Sequence, residues 1–410
     1  MLVKMRKRIK QIKRKAVKKV APIYKYLTLK WIYPREYRKY SKQPIDEKKV
    51  IFIELRYQRI ENHFEVLYDK LTKEYDFDVR THFMQMGQLR KARMFKREMA
   101  LIRDLATAKY IFIADGYYLM GALDLRKETQ YTQLWHGCGA FKKFGYSTVD
   151  LIFGGNKKEQ DKYPTHGNYT MVTVSSPEVV WAYEEAMRSP EGIVKPTGIS
   201  RTDVFYDRSF IGKAYDKLQA LIPESKAKKV ILYAPTFRGR VARATTPDEL
   251  DIAQFMEKLG EEYILLIKHH PLIKHRPEIA EAYQQFAYDV TKEMEIEELI
   301  CTADICITDY SSLIYEYSIF EKPMLFFAYD LADFCDWRGF YYPYDELTPG
   351  PVLTKNEELI SYIKQVEDKF DKEQVRTFRD KFMSACDGGA TERIMKMVFA
   401  EALDQYRKRN

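Results

Sequence analysis

Short apolar runs alternate with amphipathic segments along most of this chain, and this alternation limits the fold more than any other feature. The clearest example is the stretch 305–327, where Ile305–Ile307 predicts a buried strand that ends at polar residues. Ser311 and Ser312 then open an amphipathic helix, and Met324–Phe327 predicts the strand that follows it. A strand, a helix and a second strand in this order are typical of parallel α/β sheets.

The same alternation continues through the rest of the chain after about residue 50. The other runs that predict strands are Val50–Leu55, Asp78–Phe83, Tyr110–Ala114, Thr132–Trp135, Leu151–Phe153, Met171–Val174, Ile193–Lys195, Val230–Tyr233 and Tyr263–Ile267. Helical patterns separate them, including one that Asn62 and Glu65 open as a capping box. The predicted fold class is therefore α/β, with mostly parallel, doubly wound sheets.

At 410 residues the chain is too long for one ordinary hydrophobic core, so we expect two domains. The alternation restarts near residues 190–205, which predicts one Rossmann-like domain over residues 43–200 and a second over 201–410. The two domains are expected to face each other across a cleft. The charged helical pattern at the end of the chain belongs to the second domain or returns to the first.

Residues 1–42 carry the positive charge of the chain. They hold 16 lysines and arginines against one acid, whereas the remaining residues have 52 bases against 58 acids. Because the folded body is thus slightly acidic, we expect no nucleic-acid partner. Apolar residues at helical spacing predict a basic amphipathic helix that Pro22 breaks: Met5, Ile9, Ile12, Ala16 and Val20.

Aromatic and apolar side chains of the kind found at lipid headgroups follow Pro22, among them Ile23, Leu27 and Trp31. A segment of this type binds an anionic membrane surface, and each charge near that surface contributes about 1 kcal/mol. The alternatives are a disordered basic tail and a helix packed on the body. No apolar run in the chain is long enough to cross a bilayer.

The five cysteines contain no CxxC pair and no metal-type spacing, which favours a reducing compartment over a disulfide or zinc framework. We expect no metal site and no cofactor, and a requirement for Mg²⁺ stays open. The chain has no Walker-type loop, no GxSxG or HExxH motif, and no GxGxxG after its first strand. Nothing in the sequence supports a Ser-His-Asp hydrolase.

His136 stands where a predicted strand ends, in the segment Leu134–Gly137. Gly137 allows backbone to approach a ligand closely, and Lys142 and Lys143 add positive charge nearby. The ordinary pKa of an imidazole lies near neutral pH, which suits a general base. The alternative for a lone histidine is a surface or capping role.

A second histidine takes the equivalent position in the C-terminal half. Lys268, His269 and His270 directly follow a predicted strand. A cation and an imidazole in one strand-end loop suit the binding of phosphate oxygens. His269 ranks below His270 because side chains alternate along a strand. The remaining histidines are interpreted as structural: His63, His82, His166 and His275.

Further charged and hydroxyl side chains lie at predicted strand ends. Arg201 opens the second half, either as a cation across the cleft or in a pair with Asp203 that holds a helix start. Thr236 and Arg238 follow another strand and could contact a phosphate or a ribose.

The helix that begins at Ser311 and Ser312 predicts an anion-binding seat, because backbone N–H groups at a helix start point outward. Helix capping by Asp309 or Ser311 is the alternative. Glu316 lies on the same helix, where a carboxylate could accept hydrogen bonds from the hydroxyls of a ribose or polyol. An ordinary exposed glutamate is the alternative there.

Six motifs follow one another in the order found in CDP-glycerol glycerophosphotransferases, the teichoic acid glycerol- and ribitol-phosphate transferases. The chain resembles this family over about residues 50–395. Each motif is weak alone, and the shared order is specific. The motifs are Trp135–Gly137 with Lys142 and Lys143, Gly198–Asp203, Tyr233–Arg238, Lys268–Pro271, Thr308–Ser312 and Pro349–Pro351.

The resemblance implies a GT-B-like fold in which the N-terminal domain takes the acceptor and the C-terminal domain takes the donor. It also implies peripheral attachment to the cytoplasmic face of the cell membrane. The partners implied are CDP-glycerol, an undecaprenyl-type lipid-linked saccharide acceptor and the anionic membrane surface.

The family's mechanism is phosphoryl transfer, in which an acceptor hydroxyl attacks the β-phosphate of CDP-glycerol and CMP leaves. By resemblance, His136 takes the hydroxyl proton, and His270 helps to hold the diphosphate. The resemblance assigns substrate binding to Gly137, Cys138, Gly139, Ala140, Arg201, Thr236, Arg238, Lys268, His269, Asp309, Ser311, Ser312 and Glu316.

The chain departs from the family pattern at several positions. It has Ser200 where proline is frequent, Glu316 where aspartate is frequent, and Cys138–Ala140 where Thr-Pro-Leu is frequent. Because little sequence lies outside the two domains, we expect a primase that adds one or a few glycerol phosphates. The alternatives are a ribitol-phosphate transferase or polymerase of the same family and a GT-B glycosyltransferase that uses a sugar nucleotide.

Overall fold

A computed structural model of the chain describes residues 21–149, 151–152, 154–239, 244–247 and 249–408. The basic helix predicted over residues 1–20 lies outside these residues. Residues 21–40 are helical, Pro22 included, and the run that Pro22 was predicted to break also lies outside the described residues. Proline lacks an amide hydrogen, but its fixed φ is compatible with helical backbone.

In the described part of the N-terminal half, six parallel strands form one sheet in the order β2-β1-β3-β4-β5-β6. The strands are β1 (Asp46–Glu54), β2 (Asp78–Phe83), β3 (Ala108–Ile113), β4 (Gln130–Gln133), β5 (Met171–Thr173) and β6 (Val194–Lys195). The last six residues of β1 are all buried. A continuous apolar run is what a central parallel strand requires, because helices cover both of its faces.

The described C-terminal half holds a second sheet of six parallel strands, in the order β12-β11-β10-β7-β8-β9. Its strands are β7 (Lys229–Tyr233), β8 (Tyr263–Ile267), β9 (Ala287–Asp289), β10 (Ile305–Thr308), β11 (Met324–Phe327) and β12 (Val352–Leu353). All five residues of β8 are buried. The predicted α/β class with two doubly wound domains is confirmed.

One predicted strand is wrong. Of the run Leu151–Phe153, Leu151 and Ile152 lie in a bend and a turn, and Phe153 lies outside the described residues. The amide of Gly154 donates to the carbonyl of Leu151 at 2.9 Å, and this hydrogen bond closes the turn. Ile152 is 67% exposed, so the apolar run does not enter the core.

Helices surround both sheets. Those that precede the second sheet are α1 (Tyr33–Tyr40), α2 (Asn62–Glu74), α3 (Lys91–Leu105), α4 (Lys157–Lys162), α5 (Val180–Met187) and α6 (Arg208–Leu221). The remainder are α7 (Ile252–Leu259), α8 (Ile296–Thr302), α9 (Leu313–Ser318), α10 (Leu331–Arg338), α11 (Asn356–Lys364), α12 (Val366–Lys369), α13 (Lys372–Phe382), α14 (Ala390–Phe399) and α15 (Ala402–Gln405).

The capping box predicted at the start of α2 does not form. Glu61 is the residue before the helix, and no side chain caps the first turn. The Asn62 amide instead donates to Oε2 of Glu297 at 2.7 Å. This hydrogen bond links the N-terminal domain to α8 of the C-terminal domain.

The chain passes between the two sheets twice, and the two passages touch. The hydroxyls of Ser200 and Thr391 form a hydrogen bond of 2.8 Å. The Asp203 carboxylate accepts the backbone N–H groups of Ala390 and Thr391 at 3.1 and 2.8 Å, which caps α14. Helix α14 then buries Phe399 in the same apolar cluster as strands β1 and β3.

Candidate active site

The carboxyl ends of the two sheets meet at one cavity. In each sheet the strand order reverses beside the first strand, between β1 and β3 in the first sheet and between β7 and β10 in the second. Open α/β sheets bind ligands at such points, just beyond the carboxyl ends of the strands. The cavity measures about 460 Å³ and residues of both domains line it.

Nine of the predicted site residues line this cavity: His136, Arg201, Thr236, Lys268, His269, His270, Ser311, Ser312 and Glu316. Six predicted residues do not line it: Gly137, Cys138, Gly139, Ala140, Arg238 and Asp309. Residues that were not predicted as ligands also line it: Arg56, Tyr57, Glu61, Asn62, His63, Lys142, Glu295 and Glu297.

His136 follows β4 and is held through one ring nitrogen. Its Nδ1 lies 2.9 Å from the carbonyl oxygen of Ala114 and 3.2 Å from Oδ1 of Asp115. Because a carbonyl oxygen only accepts, Nδ1 carries the proton and Nε2 keeps its lone pair. The preceding residue, Trp135, has φ of +58°, a left-handed conformation that is strained for a non-glycine residue. The strained backbone turns the chain sharply at the strand end that presents His136.

The surroundings of His136 favour its neutral form. Burial in the cleft lowers the pKa of His136, while the Asp115 carboxylate opposes this shift. Asp115 also forms an ion pair with Arg56 at 2.6 Å. A neutral imidazole with an available Nε2 can accept a proton at neutral pH.

His270 has the opposite arrangement of ring nitrogens. The backbone N–H of Leu272 donates to Nδ1 of His270 at 3.2 Å, so the proton of the neutral ring is on Nε2. The ring packs at a tilt against Phe237, with 4.9 Å between centroids. An N–H donor at this strand end can stabilise charge on a phosphate oxygen.

Lys268 and His269 are engaged with neighbouring loops although they line the cavity. The Lys268 ammonium donates to the carbonyl oxygen of Thr291 at 2.9 Å and to that of Met294. Burial lowers the pKa of Lys268, and nearby carboxylates, Glu295 first among them, oppose this shift. His269 is buried, and its Nδ1 lies 3.0 Å from the hydroxyl of Thr246. Lys268 thus fixes the loop before α8 in addition to adding positive charge.

Arg201 lies between two buried carboxylates where the domains join. One terminal nitrogen donates to Oε1 of Glu297 at 3.0 Å, and the other donates to Oε1 of Glu316. Burial alone would lower the pKa of Arg201, but the two carboxylates outweigh it and the pKa lies above its usual value. The predicted alternative, a pair with Asp203, is wrong, because Asp203 caps α14 instead.

Polar atoms without hydrogen-bond partners among the described residues point to a polar ligand. They are Nε of Arg201, Oε2 of Glu316 and Oγ1 of Thr236, and all three residues line the cavity. Glu316 is 2% exposed, so the alternative of an ordinary exposed glutamate is wrong. Buried polar groups are normally satisfied, so these atoms fit hydroxyl or phosphate groups of a ligand.

The structure does not bring Arg238 and Asp309 to the cavity. Arg238 donates to both oxygens of Asp330 at 2.6 and 2.9 Å, and to Oδ2 of Asp309 at 2.9 Å. Asp309 also accepts the N–H groups of Thr236 and Tyr310 at 2.8 and 2.6 Å. The two residues therefore support the loops after β7 and β10, and the prediction that they contact the donor is not supported by their positions.

The loop that follows His136 turns away from the cavity after Gly137. Cys138 and Ala140 are buried in the core. Gly139 has φ of +61°, and a Cβ atom there would lie 2.2 Å from the ring of Tyr315. The backbone N–H of Gly139 donates to the Ser175 hydroxyl at 2.9 Å. Gly139 thus packs against Tyr315 of α9, and none of these three residues lines the cavity, so their contact with a substrate stays a prediction.

Ser311 and Ser312 line the cavity at the start of α9. Ser312 directly precedes the helix and its own side chain does not cap it, whereas the hydroxyl of Ser311 accepts the N–H of Leu313 at 3.4 Å. The predicted capping by Asp309 is therefore wrong, since its carboxylate binds the β7 and β10 loops. The hydroxyl of Ser312 is near Gly137 across the domain boundary, at 4.0 Å from the point where a Cβ of Gly137 would lie.

Among the described residues, no group of three or more histidine, cysteine, aspartate or glutamate side chains could hold a metal ion. In the same part of the chain, no helix combines the length and the apolar composition that a membrane span requires.

Residues 36–400 match the model of the family described as CDP-Glycerol:Poly(glycerophosphate) glycerophosphotransferase. A teichoic acid poly(ribitol-phosphate) polymerase of Bacillus spizizenii is 37% identical over 358 residues, which cover 87% of this chain and 56% of that protein. The chain thus spans little more than half of that relative. A teichoic acid ribitol-phosphate primase of the same organism is 33% identical over 361 residues, 87% of this chain and 92% of the primase.

A solved structure of the wall teichoic acid polymerase TagF is similar in fold, with a TM-score of 0.74 and 21% identity. The likeness covers 95% of this chain and 98% of that one. The predicted GT-B-like fold and the resemblance to the family are confirmed.

Proposed function

The chain belongs to the CDP-glycerol:poly(glycerophosphate) glycerophosphotransferase family, and we propose that it transfers a polyol phosphate from a CDP-polyol to a hydroxyl of a teichoic acid precursor. CMP is the second product. The observation that carries this proposal is the pair His136 and His270, which line one cavity from opposite domains with opposite ring nitrogens protonated.

His136 acts as the general base. Its protonated Nδ1 is tied to Ala114 beside Asp115, which leaves Nε2 to take the proton of the acceptor hydroxyl. The hydroxyl oxygen forms a bond to the β-phosphorus of the donor as the bond from that phosphorus to the CMP oxygen breaks.

The C-terminal wall holds the diphosphate while charge moves to the CMP leaving group. His270 donates from Nε2, and Thr236, Ser311 and Ser312 supply hydroxyl or N–H groups at the ends of β7 and β10. Lys268, which binds the loop before α8, adds positive charge near the diphosphate. This division suits phosphoryl transfer, in which positioning and charge stabilisation account for most of the catalysis.

Oε2 of Glu316 accepts a hydrogen bond from a hydroxyl of the donor. This oxygen has no hydrogen-bond partner among the described residues.

The family description supports glycerol as the polyol of the donor. Ribitol is the second candidate, and the two ribitol-phosphate relatives at 37 and 33% identity favour it. We propose a primase that adds one or a few units.

The acceptor is proposed to be an undecaprenyl-type lipid-linked saccharide that enters on the N-terminal domain at the cytoplasmic face of the membrane. The basic residues 1–42 support peripheral attachment there. Large apolar side chains in the described part of this segment are exposed, including Ile23 at 60% and Trp31 at 63%.

The test is a substrate panel with the purified protein. CDP-glycerol, CDP-ribitol and UDP-sugars are each incubated with an undecaprenyl-type disaccharide acceptor, with and without Mg²⁺. We expect CMP release with one or both CDP-polyols, and mass spectrometry of the lipid product gives the number of units. Transfer from a UDP-sugar alone would replace the proposal with a glycosyltransferase.

A further inference from the structure

A second carboxylate–imidazole pair stands on the N-terminal wall of the cleft. Glu54 is the last residue of β1 and is 1% exposed. Its Oε2 lies 3.2 Å from Nε2 of His63, in the first turn of α2. His63 was interpreted from the sequence as a structural histidine, and in the structure it lines the same cavity as His136.

The position of Glu54 in the sheet matches that of Asp115. Glu54 ends β1 and Asp115 follows β3, and these neighbouring strands enclose the point where the strand order reverses. Each carboxylate has a histidine beside it, His63 in one case and His136 in the other. Because ligands bind at this edge of an open α/β sheet, both imidazoles are placed to contact one bound molecule.

The hydrogen bonds of Glu54 to backbone N–H groups involve only one of its two carboxylate oxygens. Oε1 accepts the N–H groups of Arg56 and Tyr57 at 2.8 and 3.2 Å, which holds the loop after β1. Oε2 faces His63 without hydrogen-bond geometry and has no partner among the described residues. A carboxylate that only held the loop would not need a histidine on its second oxygen. A small rotation of the His63 ring on ligand binding would complete that hydrogen bond.

The different side chains on the two walls of the cleft indicate which substrate contacts His63. The hydroxyl, lysine and imidazole groups proposed to hold the nucleotide diphosphate lie on the C-terminal wall. The N-terminal wall carries the base, His136, and the molecule that gives up its proton must lie beside it. His63 shares this wall, so it meets the acceptor.

We propose that His63 is an acceptor-binding residue and that Glu54 is the positioning residue that holds its ring. Glu54 fixes Nε2, and Nδ1 of His63 forms a hydrogen bond with a hydroxyl group of the acceptor next to the one that reacts. The assignment rests on the proposed function, since it takes the attacking molecule to be a polyol or saccharide with several hydroxyls.

The test compares H63A and E54Q with H82A. His82 is a matched control, because its Nε2 lies 2.9 Å from a carboxylate oxygen of Asp104 and its side chain is 16% exposed, against 14% for His63. His82 does not line the cleft cavity. Initial rates are measured with the acceptor varied at saturating donor, and then with the donor varied.

We expect H63A and E54Q to raise the KM for the acceptor about tenfold, as the loss of one hydrogen bond predicts. The KM for the donor should change less than about twofold, and H82A should match the wild type in both. H63Q retains a donor and an acceptor group and should recover part of the acceptor affinity.

An unchanged acceptor KM in folded H63A and E54Q, or an equal rise of both KM values, would overturn the assignment. If H63A does not fold, E54Q and H63Q decide the question, since both keep the volume of the site. A failure of the proposed function gives a different result, because the wild type then releases no CMP with any donor. Binding of a fluorescent disaccharide lipid acceptor to the wild type and H63A, without donor, then decides the assignment of His63.

Discussion

Each wall of the cleft has a histidine just beyond a strand, and both rings are held through Nδ1, but the proton lies on opposite ring nitrogens. On the N-terminal wall, Nδ1 of His136 donates to the carbonyl of Ala114 beside Asp115. On the C-terminal wall, Nδ1 of His270 accepts the N–H of Leu272. The first ring can therefore take a proton through Nε2, whereas the second can give a hydrogen bond from Nε2.

The difference arises from the local backbone and not from the type of side chain. A carbonyl beside a carboxylate prepares one imidazole as a base, and a backbone amide prepares the other as a donor. Similar strand-end motifs on two related folds can therefore serve different steps of one reaction. The lesson is that the partner of Nδ1 decides what a strand-end histidine can do.

The strongest test of the comparison removes one imidazole at a time. We expect H136A to lower kcat by about 10²–10⁴-fold, the usual contribution of a general base, with little change in donor affinity. H270A should weaken donor binding as well as turnover, because it removes a hydrogen bond to phosphate. Steady-state CMP release and calorimetric donor binding measure both effects. Equal losses of donor affinity in the two variants would remove the distinction between the walls.

The next test concerns Arg201, which is buried between the carboxylates of Glu297 and Glu316. R201M leaves Glu297 and Glu316 buried without their cation, so we expect the free energy of unfolding to fall by about 3–5 kcal/mol. Urea denaturation measures this loss. K217M is the control, since its partially exposed pair with Glu298 should contribute less than about 1 kcal/mol. Similar losses in the two variants would show that the buried Arg201 network contributes no more to stability than a partially exposed ion pair.

The smallest expected effect is a shift of pH dependence. Asp115 raises the pKa of His136 against the effect of burial, so D115N should lower that pKa further. The acid limb of the kcat/KM profile should then move to lower pH, because His136 stays neutral in more acidic buffer. The unpaired Arg56 would shift the pKa in the same direction. A limb that moves to higher pH in D115N would show that another group is the base.

The sheets could be predicted largely from the sequence because most strands are buried on both faces. Asp78–Phe83, Tyr263–Ile267 and Met324–Phe327 match their predicted bounds. The strands Ala287–Asp289 and Val352–Leu353 were missed because they have only three and two residues and no continuous apolar run. A hydrophobic pattern needs several residues to be recognised, and strands as short as these depend on neighbours that the pattern does not contain.

Only the site residues that lie at the ends of strands could be predicted from the sequence. Parallel strands bring their carboxyl ends to one edge, so His136, His270 and Ser312 were predicted together without knowledge of their contacts. Ion pairs between distant residues were not predictable: Arg201 and Glu316 are 115 residues apart, and Arg238 and Asp330 are 92 apart.

His63 was missed for the same kind of reason. It lies in a helix and not at a strand end, and its partner Glu54 belongs to the preceding strand. A carboxylate at the end of the first strand, followed by a histidine in the first turn of the next helix, is the signal that could have found the pair.

The two adjacent chain passages between the sheets restrict how the halves can move. A single connection would let one half swivel in any direction relative to the other. Two connections held together by Ser200, Asp203 and Thr391 remove much of that freedom. Removal of the last 25 residues or so would cut one connection and strip the first sheet of part of its apolar cover.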